Sequence, residues 1–283
     1  MSSSGKRLRQ KMTTRWFLWV LVFFVSCIAV AQDQNLSPPP RDEKTLQDKL
    51  PAKPATELKR QLSLAQVGEV RVIYLLPSDV KPRAKFRRAA ADATQNLQRW
   101  YGIQLAGSTF KLHTPVVEMF RTSHPAEWYA KNPSGQDRTL WFWNNATTDG
   151  FSKTGGAFDD PRFRWVFYID AEPDPDQVVG GANGVALLPR NDVLGILGLQ
   201  TDPVCRWVGG LGHELGHAFG LDHPPDCQTG KVDPSAPQCQ SLMFLGYAKY
   251  CGTFLTPEHK TELEQSPFFS PQEVKAGGWK CSN

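Results

Sequence analysis

One stretch limits what this chain can become more than any other: His213-Glu214-Leu215-Gly216-His217-Ala218-Phe219-Gly220-Leu221-Asp222-His223. His213 and His217 are four residues apart, so on an α-helix their imidazoles stack on one face, where both can ligate a single ion. Glu214 stands beside the first ligand, where a carboxylate reaches a metal-bound water rather than the metal, as a general base must. Gly220 has no Cβ and can take φ > 0, ending the helix and turning the chain. The turn brings back His223 as a third nitrogen. Three histidines leave the fourth position of a tetrahedral Zn²⁺ to water, which is the pattern of a catalytic rather than a closed structural zinc. Drawn independently, the five fixed positions occur by chance on the order of 10⁻⁵ times per chain. A solvated histidine-rich helix, or a core helix with satisfied imidazoles, is the bland alternative, and Gly220 and His223 are what separate the two.

The stretch resembles the HExxHxxGxxH signature of the metzincin zinc endopeptidases, most nearly the matrixin and serralysin branches. The resemblance implies His213, His217 and His223 as ligands of one catalytic Zn²⁺ and Glu214 as the catalytic base. It implies a methionine on a tight turn beneath the metal, for which Met243 in Ser241-Leu242-Met243 is the candidate. The Ser-x-Met-x-Tyr pattern of some branches needs tyrosine at 245; this chain has Leu245, and Tyr247 follows. An ordinary core methionine is the alternative for Met243. The implied fold is α/β (α+β): a twisted mixed sheet with a long upstream helix, an active-site helix and a C-terminal helix. By the same resemblance Gly184-Val185-Ala186-Leu187-Leu188 is the edge strand to which an extended peptide substrate adds. A plain core strand is its alternative.

Ahead of the domain lies a leader. Lys6, Arg7, Arg9, Lys11 and Arg15 precede an almost unbroken apolar run from Trp16 to Ala31, and Ala29-Val30-Ala31 is a small-x-small cleavage site. Residues 1–31 read as a secretory signal peptide. A membrane anchor through residues 16–31 and lipidation at Cys27 are the alternatives. Residues 32–66 are polar and proline-spotted, a flexible linker or short pro-segment, with no cysteine to cap a zinc. The net charge of +4 is mild and much of it sits in the leader, which leaves no nucleic-acid footprint. No stable membrane association is expected beyond that segment.

Residues 67–283 then hold one metzincin-like domain. Val70–Leu76 is a buried-strand run. A helix opens at Pro82 with apolar Phe86, Ala90, Ala93, Leu97 and Trp100 at helical spacing, closed by Gly102. Strands follow at Ser108–Leu112, Val116–Phe120 and Phe163–Ile169, while Thr139–Trp143 fits either type. The active helix begins around Val204–Trp207. Its Gly209, Gly210, Gly212 and Gly216 each cost about 1 kcal/mol against alanine, which implies tight packing, here expected against the sheet. Thr256-Pro257-Glu258 starts a last helix running to Gln265.

Asp170, Glu172, Asp174 and Asp176 alternate with turn residues and could collect a Ca²⁺; a solvated acidic loop is the bland reading. The cysteines after the leader cluster around the zinc motif, as bridges bracing an exported domain would, with Cys227–Cys239 the first pair to expect. His113, His124 and His259 stand alone and read as surface or locally hydrogen-bonded residues. Asn35 and Asn145 sit in N-x-S/T triplets. The expected function is a secreted zinc endopeptidase acting on protein or peptide substrates. A non-catalytic extracellular binding protein of the same fold, or a zinc amidase acting on cell-wall peptides, remains open.

Overall fold

A computed structural model describes residues 67–273. The leader, the linker, Cys27, Asn35 and Cys281 lie outside the described residues. The elements are β1 (Glu69–Leu76), α1 (Phe86–Gln104), β2 (Ser108–Arg121), α2 (Trp128–Lys131), α3 (Trp141–Thr154), β3 (Phe163–Ile169), β4 (Gly180–Ala182), β5 (Val185–Leu188), α4 (Arg190–Ile196), α5 (Val204–Ala218), α6 (Pro225–Gln228), α7 (Leu242–Lys249), α8 (Pro257–Glu264) and β6 (Phe269–Pro271). They build a mixed α/β domain around a six-stranded sheet of order β4-β5-β3-β1-β2-β6. The β5-β3-β1-β2 centre is parallel, and β4 and β6 run antiparallel at the two edges.

The sheet is buried on both faces, which is why its central strands read as continuous apolar runs. Along β1, Val70, Val72, Tyr74 and Leu76 line one core, with α1 and α5, while Ile73 and Leu75 line the other, with α3. Helix α1 buries Phe86, Ala90, Ala93, Leu97 and Tyr101. Its seam therefore ends on Tyr101, with Trp100 packed at the margin, and the helix runs through Gly102 to turn at Ala106 and Gly107, both at positive φ. The two strands expected at 108–120 are one strand with a register shift against β1. Residues 141–143 open helix α3, behind a 3₁₀ turn at 138–140.

The expectation of an edge strand at Gly184–Leu188 is corrected. Val185–Leu188 is paired on both sides, parallel to β3 and antiparallel to β4, and all four residues are buried. Asn183 and Gly184 both have positive φ and form the two-residue turn of a β4–β5 hairpin, with Ala182 opposite Val185. An Asn-Gly pair favours that turn because both residues tolerate left-handed backbone. The hairpin folds Gly180–Ala182 outward, and the edge belongs to β4.

Candidate metal centre

Helix α5 carries His213, Glu214 and His217. It stops at Phe219, and Gly220, at φ +99°, reverses the chain. The Leu221 N–H returns to the Gly216 carbonyl at 3.0 Å, closing the turn that delivers His223. The three Nε2 atoms then stand 3.2, 3.1 and 3.1 Å apart. Nitrogens about 2.0–2.1 Å from a tetrahedral Zn²⁺ are separated by roughly 3.3 Å, so the triangle has the size of a three-histidine zinc face.

The protonation pattern agrees. The His213 Nδ1–H donates to the Leu242 carbonyl at 3.0 Å and the His217 Nδ1–H to the Leu221 carbonyl at 2.8 Å. A carbonyl only accepts, so the proton of each ring is on Nδ1 and Nε2 presents a bare lone pair. Lone pairs converging at such distances repel unless a cation lies between them. Burial pulls His213 down to about 4. Burial, then neighbouring His213, pulls His223 down to about 3, so both rings are neutral at neutral pH. Among the described residues no fourth His, Cys, Asp or Glu joins the group. The residues present fit a zinc ion with one open position.

Glu214 is buried, 3% exposed. Its Oε1 accepts from the Tyr247 hydroxyl at 3.1 Å, while Oε2 has no hydrogen-bond partner. Burial raises the carboxyl above its ordinary value against the opposing pull of His217, Tyr247 and the Gly181 N–H, which lies near the carboxylate but does not reach hydrogen-bond geometry on Oε2. A base with a raised pKa takes a proton more readily. Tyr247 was in plain view in the sequence but had no assigned partner. It lies on α7, with its ring over Gly210 and beside the His213 imidazole, 5.9 Å between centroids. Asp192, on α4, is a further buried carboxyl, raised to about 8 by burial and then by Glu214.

Gly209, Gly210 and Gly216 of α5 make room for α7 and the turn after it, and Gly212 for Leu97 of α1, rather than for the sheet, which corrects the expected packing partner. A Cβ on Gly209 would collide with the Gly246 carbonyl, and one on Gly216 with the Met243 sulfur. Met243 is fully buried in the first turn of α7, its sulfur against the backbone between the two helical ligands. On the other side, Gly181 of β4 lies against the Glu214 carbonyl and the His217 Cβ, which leaves no room for a side chain there. The edge strand thus crosses the active helix at the base.

The calcium expectation is not supported by where the side chains of Asp170, Asp174 and Asp176 point. Asp170 is fully buried and accepts from Arg83 Nε at 2.8 Å, Arg190 Nε at 2.8 Å and Tyr74 Oη at 2.6 Å. Asp174 pairs with Lys131 and Arg138, and Asp176 with Arg138. Three of the four carboxylates are thus already paired, and among the described residues only the histidine group stands in metal-holding geometry, so a Ca²⁺ site here has no support.

Cys227 and Cys239 are bonded, clipping the segment between His223 and α7, and Cys205 is also disulfide-bonded. Asn145 is buried, and its side-chain amide donates to the carbonyls of Tyr129 and Asn132, so the triplet there is not a glycan acceptor in the folded protein. His113 and His124 bond locally to Glu69 and Asp149. Among the described residues no helix is long and apolar enough to cross a membrane.

No family model and no curated protein matches the sequence. Among solved structures, the chain is similar to catalytically inactive OgpA from Akkermansia muciniphila in complex with an O-glycopeptide (glycodrosocin) substrate, at 21% identity and a TM-score of 0.48 over 72% of this chain and 62% of that one. It is similar to wild-type OgpA at 21% identity and 0.48, over 73% and 62% of the respective chains. Archaemetzincin from Methanopyrus kandleri aligns at 20% identity and 0.37, over 69% of this chain and 94% of that one. The chain therefore spans about three fifths of the length of the OgpA chains it matches. Likenesses this low carry no activity across, and the chemistry of the site rests on its own atoms.

Proposed function

We propose that this protein is a zinc-dependent endopeptidase of the metzincin type that acts outside the cytoplasm. The observation that carries the reading is the triangle of three converging Nε2 atoms beside a buried carboxylate with one oxygen unclaimed. A purely structural zinc site has no use for that carboxylate. When bound, the ion would lower the pKa of its water towards about 7 and polarise the scissile carbonyl. Glu214 Oε2 takes the proton of the attacking water and passes it to the leaving amine. Tyr247 keeps the other oxygen occupied, so the carboxylate has one working face. The bonds from His213 and His217 to backbone carbonyls hold those rings in the ligating tautomer. The outer edge of β4 offers backbone groups to an extended peptide, which aligns the substrate beside Glu214. Met243 supports the helical ligands from below. Export through the residue 1–31 leader agrees with disulfides around the site, since such bonds persist in oxidising compartments.

The test is elemental analysis of purified protein together with casein and peptidoglycan zymograms run with and without a chelator. One equivalent of zinc and chelator-sensitive clearing of casein are expected. A zinc-free protein, or clearing of neither substrate, would overturn the peptidase reading, and clearing of peptidoglycan alone would replace the substrate.

A further inference from the structure

Of the three candidate ligands, His213 and His217 are held by a helix and by their own Nδ1–H bonds to carbonyls. His223 sits in a loop past the helix end, and on its helix side the nearest fixed point lies one residue earlier. The Asp222 carbonyl is 3.0 Å from Nε2 of His259. Because a carbonyl oxygen only accepts, His259 carries its proton on Nε2 and donates. His259 is 6% exposed and its Nδ1 is buried without a partner, so the one hydrogen bond of the ring is the one it donates to the Asp222 carbonyl. Its place is set locally. Thr256 caps α8 by accepting from the His259 N–H, which puts this side chain on the inner face of the first helical turn. Together with Leu221, whose N–H and carbonyl bond to Gly216 and His217, the residues leading to His223 are tied at consecutive positions.

We propose that His259 is a positioning residue for the metal centre: through the Asp222 carbonyl it fixes the loop that presents the His223 imidazole, and so makes the last helix part of the zinc site. The inference rests on the zinc reading above but assigns a residue that lies outside the HExxHxxGxxH stretch and touches no metal. In its absence the loop keeps its ligand but not its position, and the cost falls on metal affinity. Partners of metal ligands typically contribute about 10- to 100-fold in affinity.

The experiment compares full-chain wild type, His259→Leu and His259→Gln. Zinc affinity is read by competition with a chromophoric chelator, the Co²⁺ visible spectrum is recorded, and unfolding of the metal-free proteins is followed in urea. Leucine fills the space and removes the donor, while glutamine can place an N–H near the position of Nε2. The expected result is a Kd for zinc weakened about 10- to 100-fold in the leucine variant, an altered Co²⁺ spectrum, and recovery of most of the affinity in the glutamine variant. A leucine variant that binds zinc and cobalt as the wild type does overturns the proposal. So does a leucine variant whose loss of affinity glutamine does not restore while the metal-free protein is equally destabilised in both, because the role is then only structural. A wild type that binds no zinc sinks the zinc reading itself, whereas tight wild-type binding with an indifferent His259 sinks only this inference.

Discussion

Two segments of this chain repeat metal-ligating side chains at close spacing, and they end in opposite states. In the acidic loop the oxygens of Asp170, Asp174 and Asp176 are taken by Arg83, Arg190, Lys131 and Arg138. In the histidine stretch the Nδ1 atoms of His213 and His217 are taken by backbone carbonyls, and the Nε2 atoms of all three rings are left facing one another. A donor atom signals a metal only when the rest of the protein has not already satisfied it. The acidic loop is therefore a strut that joins β3 to α4 and the start of α1, and the histidine stretch is a site.

The contrast is open to breakage, most sharply at the ligands. His217→Ala should abolish stoichiometric zinc, while Asp174→Asn leaves the zinc content as in the wild type; elemental analysis of both decides. Next in size, Glu214→Ala should keep its zinc and lose peptidase activity by about 10²- to 10⁴-fold, as read by peptide hydrolysis. A variant that stays fully active would remove Glu214 from the chemistry.

In the other region the effect should be on stability alone. Asp170→Asn leaves two arginines facing a neutral group and should cost on the order of 3 kcal/mol in urea unfolding, with no change in metal content. The same pair predicts an acid limb. Burial pushes the Asp170 carboxyl up, but bonds from Arg83, Tyr74 and Arg190 outweigh it and hold the pKa below the ordinary value. A carboxyl depressed in the folded state contributes its full stability above the unfolded pKa of about 3.9 and loses it as pH falls through the folded value. Stability should therefore drop below roughly pH 4, less steeply in Asp170→Asn. The smallest effect is a null one: about 1 mM Ca²⁺ should shift the thermal midpoint by less than about 1 °C, because no uncommitted carboxylate cluster is there to bind it. A clear calcium-dependent rise would return the loop to the list of metal sites.

Some of this was legible from the residues alone because the physics is local. The four-residue spacing of His213 and His217, the left-handed Gly220 and the Thr256 cap each act within a turn or two of backbone. Asn183-Gly184 is just as local, and it should have placed the edge at Gly180–Ala182 rather than at Gly184–Leu188. The α5 glycines showed that something packs closely, but nothing within reach of α5 in sequence says that α7 and α1 rather than the sheet do so.

What the sequence by itself determined is the kind of site: three nitrogens and a carboxylate whose spacing along one helix and its terminating turn is written into consecutive residues. Only the tertiary structure decided which oxygen of Glu214 is free, that Tyr247 holds the other, that His259 reaches the loop of His223, and that Asp170, Asp174 and Asp176 are spent on arginines and lysine. The physical reason is separation along the chain. Tyr247 is 33 residues from Glu214, His259 is 37 from Asp222, and Arg83 is 87 from Asp170. Pairings at that range are set by the packing of whole elements, which no local pattern encodes.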